Sequence, residues 1–165
     1  LQQQEPFPAV VVDRSWNQVL GNKASELLLG LSGRDANDPG PFNLAEATLQ
    51  PGGLRRFITN PEIALPLFVL RLRREALASG EASVIARVEA LIRSAGALPE
   101  LDSGTDSLLP VLPIELALDG LRLSLFSVMS TFGTPQDVTT DELRIESFYP
   151  ADDETTAFFE AIAST

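Results

Sequence analysis

The chain has 165 residues, 44% of them hydrophobic, and its 23 acidic against 12 basic residues leave a net charge of -11. A chain of this size buries one continuous core without disulfide or metal support. The absence of cysteine and histidine excludes thiolate zinc sites, thiol nucleophiles and imidazole acid–base catalysis. The negative field repels nucleic-acid phosphates and anionic lipid headgroups, so this segment is not expected to bind DNA itself.

The longest apolar runs, "ELLLGL" and "ALPLFVL", fall well short of the ~20 residues of a membrane-spanning helix. No charged-then-apolar signal opens the chain, so a soluble, cytoplasmic protein is expected. "LQQQEPFP" at residues 1–8 reads as the tail of a linker ahead of a domain over 9–165. "AVVVD" from Ala9 and "NQVL" from Asn17 are β-branched or extended runs separated by "RSW", which predicts a hairpin with Trp16 as a packing residue. Asn22 is placed to cap a helix with Ala24, Leu27, Leu28 and Leu31 on one face and Gly30 near its stop. "SGRDANDPGPFN" follows as a surface loop. Asp35, Asn37, Gly40 and Glu46 approach calcium-loop spacing there, but Pro39 offers no side-chain oxygen at the fifth position.

Short helices are predicted over Leu44 to Leu49 and Gly53 to Ile58, then a longer one from the Asn60-Pro61 signal to about Ala78. Pro66 should kink that helix or displace its start, because its ring clashes with a preceding carbonyl. "RLRRE" at Arg71 to Glu75 reads as a solvated helix face with intrahelical pairs, or as an anion site. Ser83 to Ser94 is amphipathic through Val84, Val88, Leu91 and Ile92.

"PIELALDGLRLSLFSVMSTF" then changes to a two-residue period around Asp119-Gly120, a hairpin signal that pairs Leu118 with Leu121, Leu116 with Leu123 and Ile114 with Leu125. One face of this hairpin continues through Ser127, Met129 and Thr131. On the other, Phe126, Val128 and Phe132 form an apolar patch for the final helix or a second subunit to cover. In "TFGTPQDVTTDELRIESFYP", Pro135 presets a turn and Thr139 with Glu142 forms a capping box. A threonine nucleophile served by Asp137 or Glu142 lacks a strong base, so catalysis is not expected. "LRIESFY" alternates, with Leu143, Ile145, Ser147 and Tyr149 on one side and Arg144, Glu146 and Phe148 on the other. Asp152 and Asp153 are first-turn acids of a closing helix through Phe158, Phe159 and Ile162. Two strands, several helices and three strands make an α+β, PAS-like plan: a five-stranded antiparallel sheet with the helices on one face.

The stretches "PAVVVDRSWNQVLGNKASELLLG", "NPEIALPLFVLRLRREALASG" and, most specifically, "STFGTPQDVTTDELRIESFYPAD" resemble the MmyB-like transcription-regulator ligand-binding family over nearly the whole chain. The resemblance implies a PAS-related regulatory domain, usually C-terminal to an Xre-type helix-turn-helix that would supply all DNA contact. Pro66 departs from the family's uninterrupted helix.

In such a domain an apolar, fatty-acid-like ligand is expected between sheet and helices. Ser127, Met129, Thr131, Ile145 and Ser147 would line it opposite Phe57, Phe68 and Leu72, and one of Arg55, Arg56 or Arg71 would meet a carboxylate at the mouth. No metal, cofactor or membrane contact is expected. A homodimer is, and the competing reading is a dimerisation module with a full core and no ligand of its own.

Overall fold

The structure, a computed structural model, describes residues 1–30, 41–101, 111–118, 120–131 and 143–164. Strands β1 (Ala9–Val12) and β2 (Gln18–Gly21) open the domain. Helices α1 (Lys23–Gly30), α2 (Leu44–Leu49), α3 (Pro61–Ser79) and α4 (Ala82–Ser94) follow, with a 3₁₀ turn at Leu54–Phe57 between α2 and α3. Strands β3 (Leu112–Leu118), β4 (Leu121–Thr131) and β5 (Arg144–Pro150) and helix α5 (Asp153–Ala163) complete the chain. The sheet order is β2-β1-β5-β4-β3, antiparallel at every pairing. This is the five-stranded α+β plan expected, with the first and last strands side by side at the centre.

The β3–β4 register is the one the Asp119-Gly120 signal implies: Leu118 faces Leu121, Leu116 faces Leu123 and Ile114 faces Leu125. Asp119 lies outside the described residues, but Gly120 has φ 89°, a left-handed conformation that glycine adopts without Cβ strain. In the β1–β2 hairpin the Asp13 carboxylate accepts from Ser15 N at 2.8 Å and Asn17 N at 2.9 Å. That turn directs Trp16 into the core, 2% exposed and edge-on to Phe68 at 5.3 Å.

Asn22 caps α1, accepting from Ser25 N at 3.0 Å. Its side chain also accepts from Ala9 N and donates to the Phe7 carbonyl, so one amide joins a helix start to a strand start. The buried face of α1 is Ala24, Ser25, Leu28 and Leu29, whereas Leu27, expected inside, is 44% exposed. The pairs 24/28 and 25/29 are each one helical turn apart and point at the sheet together, and Leu27 falls beside them. Leu31, the calcium-like loop through Gly40, Phe132 and the Pro135, Asp137, Thr139 and Glu142 turn all lie outside the described residues.

α3 runs through Pro66 without interruption, and Pro66 is buried. Of the two effects expected of Pro66, a displaced helix start does not occur. The bond Pro66 cannot donate would have gone to the carbonyl of Glu62, an exposed residue in the first turn of the helix. The helix starts at Pro61, but Asn60 makes no cap bond. Its side chain accepts from Glu115 N at 3.0 Å and donates to the Pro113 carbonyl at 3.4 Å, tying α3 to β3.

Residues 1–8, expected as a linker, pack against the domain. Gln2–Gln4 form a 3₁₀ turn, the Tyr149 hydroxyl donates to Gln4 Oε1 at 3.3 Å, and Lys23 N donates to Glu5 Oε1 at 3.0 Å. Phe7 stands edge-on to the buried Phe159 of α5. Glutamines and prolines read as linker composition, yet an amide side chain and a ring at these positions find partners on the folded surface.

Candidate ligand site

The face of the sheet that meets α1, α2 and α3 carries two different environments. Toward β3, Leu28 and Leu29 of α1, Leu44 and Thr48 of α2, Leu54, and Ile58 close over Ile114, Leu116, Leu125 and Phe148 of the sheet, leaving a chamber of about 40 Å³. That is close to the room one water occupies. The wall is apolar apart from Thr48, whose hydroxyl donates to the Leu44 carbonyl at 2.8 Å.

Toward β1 the same face is charged. Arg71 and Glu75 lie one turn apart on α3, and Arg144 and Glu146 lie two residues apart on β5, so each pair shares a side of its element. Arg71 Nη1 donates to Glu146 Oε1 at 2.6 Å and to Ser127 Oγ at 3.0 Å. Arg144 Nη1 donates to Glu75 Oε2 at 2.5 Å. Glu146 is 1% exposed, and its Oε2 has no hydrogen-bond partner among the described residues. Burial pushes the Glu146 carboxyl above its ordinary pKa, opposed by Arg71 and Ser127. Burial also pushes Glu75 up to about 7, with Arg144 opposing, Glu146 adding to the rise and Arg71 opposing.

The β4–β5 register decides which of the expected ligand residues stand together. Ser127 pairs with Phe148, Met129 with Glu146 and Thr131 with Arg144, so these six share the inner face. Ile145 and Ser147 pair with Ser130 and Val128 and point to the opposite face, a correction to their expected place beside Ser127. Isolated charges are rarely buried, which would favour the uncharged side of β5 inward. Here two arginines and two glutamates neutralise one another and reverse that choice.

Of the remaining expected residues, Ser127 and Leu72 are fully buried, Phe68 is buried against Trp16, Met129 is half-buried and Thr131 is exposed at the strand end. Phe57 is half-buried, with the Arg56 guanidinium 4.6 Å from its ring centre. Arg71 is taken by Glu146, and Arg55 donates to the carbonyls of Leu49, Ala95 and Ala97. The arginine run is therefore not laced within its helix: Arg73 makes a two-bond pair with Glu89 of α4, at 2.7 and 3.0 Å, and Arg71 and Glu75 pair with β5.

None of the nine expected residues walls the 40 Å³ chamber. The signal that would have found the charged half is the match of an i, i+4 Arg/Glu pair on a helix with an i, i+2 Arg/Glu pair on a strand. The α1 and α2 wall carried no comparable signal.

A second, open groove of about 510 Å³ runs between α3, α4 and residues 98–101, with Val69, Leu70, Ile92 and Leu98 among its apolar walls and Arg73 and Arg74 beside them. Among the described residues no acidic cluster is arranged to hold a metal ion, and no helix is long and apolar enough to cross a membrane.

No curated protein matches the chain. Among solved structures, it is similar to the PAS domain of Bordetella pertussis BvgS, at 12% identity and a TM-score of 0.40, over 96% of this chain and 87% of that one. The chain belongs to the family of MmyB-like transcription regulator ligand binding domains, whose model matches residues 1–162.

Proposed function

We propose that this regulatory domain senses a small molecule with an apolar, fatty-acyl-like body, taken up between the inner sheet face and the wall formed by α1, α2 and the Leu54–Phe57 turn. The observation that carries this reading is the chamber itself: nine of its ten lining side chains are apolar, and its one hydroxyl is already bonded. At about 40 Å³ it admits a larger guest only if one wall moves. α2 has 6 residues and α1 has 8 among the described residues, below the length at which isolated helices hold together, so their position depends on burying Leu28, Leu29 and Leu44. An alkyl chain replaces that burial in kind.

A guest shifts the domain's state only by binding the opened arrangement more tightly than the closed one. In the whole protein, expected to be cytoplasmic, a separate helix-turn-helix would convert that displacement into altered DNA binding. Native mass spectrometry of the purified protein, followed by organic extraction, tests the reading. A co-purified apolar molecule, or a rise in melting temperature that grows with alkyl chain length, supports it. A ligand-free protein indifferent to every chain refutes it.

The small chamber volume also favours a second reading, a dimerisation module whose core is simply full. Its surface would be the outer face, where Phe126 stacks on Tyr149 at 5.5 Å beside the half-buried Val128. Loss of dimer in Phe126→Glu, with no response to alkyl chains, would establish that alternative.

A further inference from the structure

Glu146 accepts Arg71 at Oε1, while Oε2, equally sealed from solvent, is left without a donor among the described residues. A carboxylate has room for about four hydrogen bonds, and a buried acceptor left unmade is costly. Two arginines and two carboxyl groups meet around it, Arg71 with Glu146 and Arg144 with Glu75.

We propose that Glu146 Oε2 is the polar anchor of the ligand site, and that the guest meets it with a hydrogen-bond donor, a hydroxyl or a protonated amine, at one end of its apolar body. The proposal rests on the ligand-sensing reading above and specifies the head group.

The sheet connects the anchor to the chamber. Glu146 stands two residues before Phe148 on β5, and Ser127 two residues after Leu125 on β4. Phe148 and Leu125 both wall the chamber, and Ser127 is paired directly with Phe148. One two-residue step along a strand is about 7 Å, so a chain seated in the opened chamber and lying along the sheet carries its end past Phe148 to Glu146.

A carboxylate head fits this end poorly. It would bring a third negative charge beside Glu75 and Glu146, and Arg71, the residue expected to receive it, already donates to Glu146 Oε1 and Ser127 Oγ. A hydroxyl leaves the balance of charge unchanged and satisfies the open acceptor. An ammonium also satisfies the open acceptor, and the positive charge it adds faces the carboxyl groups of Glu75 and Glu146.

The test is titration calorimetry of the wild-type protein with four compounds of one chain length: a primary alkanol, a primary alkylamine, the alkanoate and its methyl ester. The alkanol, the alkylamine or both should bind at least about tenfold more tightly than the alkanoate and the ester. The double variant Arg71→Met/Glu146→Leu, which removes the anchor without stranding a charge, should bind all four alike. Equal or tighter binding of the alkanoate, binding of both the alkanol and the alkylamine no tighter than the ester, or a donor preference that survives in the double variant would each overturn the head-group assignment while leaving chain binding intact. Binding of none of the four would instead defeat the ligand-sensing reading itself, and this proposal with it.

Discussion

Arg71 of α3 and Glu146 of β5 meet at 2.6 Å across the inner face of the sheet, joining the longest helix to the central strand inside the core. Glu146 is sealed from solvent and Arg71 partly so, and such a pair is costly to halve at the arginine, because the buried carboxylate keeps its desolvation penalty without its counter-charge. Its replacement as a unit by apolar groups is a different matter.

Arg71→Met alone should therefore destabilise the fold by about 3–5 kcal/mol, whereas Arg71→Met/Glu146→Leu should recover most of that loss. Urea unfolding of the two variants decides it. A double variant no more stable than the single would mean that the pair does not carry the coupling between α3 and β5.

Glu75 links stability to pH. Burial raises its carboxyl from 4.5 to about 7, so the folded protein holds this proton more firmly than the unfolded chain does. The resulting stabilisation is complete below the unfolded value and is lost as pH rises through about 7. Between about pH 4.5 and 7 the wild type should lose up to about 3 kcal/mol that Glu75→Gln does not lose. Glu146, raised in the same direction, interacts with Glu75, so the difference between the two proteins reads the Glu75 titration together with its coupling to Glu146. Thermal melts across that window should show a flatter profile for the variant, and identical slopes would show that Glu75 is not the group responsible.

Asn22 holds the entrance to α1 through Ser25 N, Ala9 N and the Phe7 carbonyl. Its replacement by alanine removes a cap and strands a buried strand amide, so a loss of about 2–3 kcal/mol is expected in chemical denaturation. A loss below about 0.5 kcal/mol, the range of ordinary surface substitutions, would show that other groups satisfy the same partners.

Gly53 permits the close approach of the Leu54–Phe57 turn to α2. A Cβ there would overlap the Ala47 backbone carbonyl, while one at Gly52 would meet open space. Gly53→Ala should lower stability by about 1–3 kcal/mol and Gly52→Ala should not. Equal melting temperatures for the two variants would contradict that packing.

Much of the architecture is legible in local chemistry. The Asp119-Gly120 turn with its leucine ladder, the Asn22 cap and the Pro61 helix start each depend on residues adjacent in the chain. The site is less legible because it depends on pairs far apart. Whether Arg144 and Glu146 or Ile145 and Ser147 face inward is decided by Arg71 and Glu75, some seventy residues earlier, which turn an unfavourable burial of charge into a matched set. The chamber wall escapes for a related reason: Leu28, Leu44 and Ile58 look like any core residues until the sheet brings Leu125 and Phe148 opposite them.

The central claim is that an apolar guest parts the short helices from the sheet. A crystal structure of the protein grown with a saturated long-chain alkanol tests it most directly. The expected result is the chain seated between Leu28, Leu44, Leu125 and Phe148, with α1 and α2 displaced outward and the hydroxyl directed at Glu146. A chamber still about 40 Å³ in volume, with the alkanol bound only in the α3–α4 groove, would contradict it.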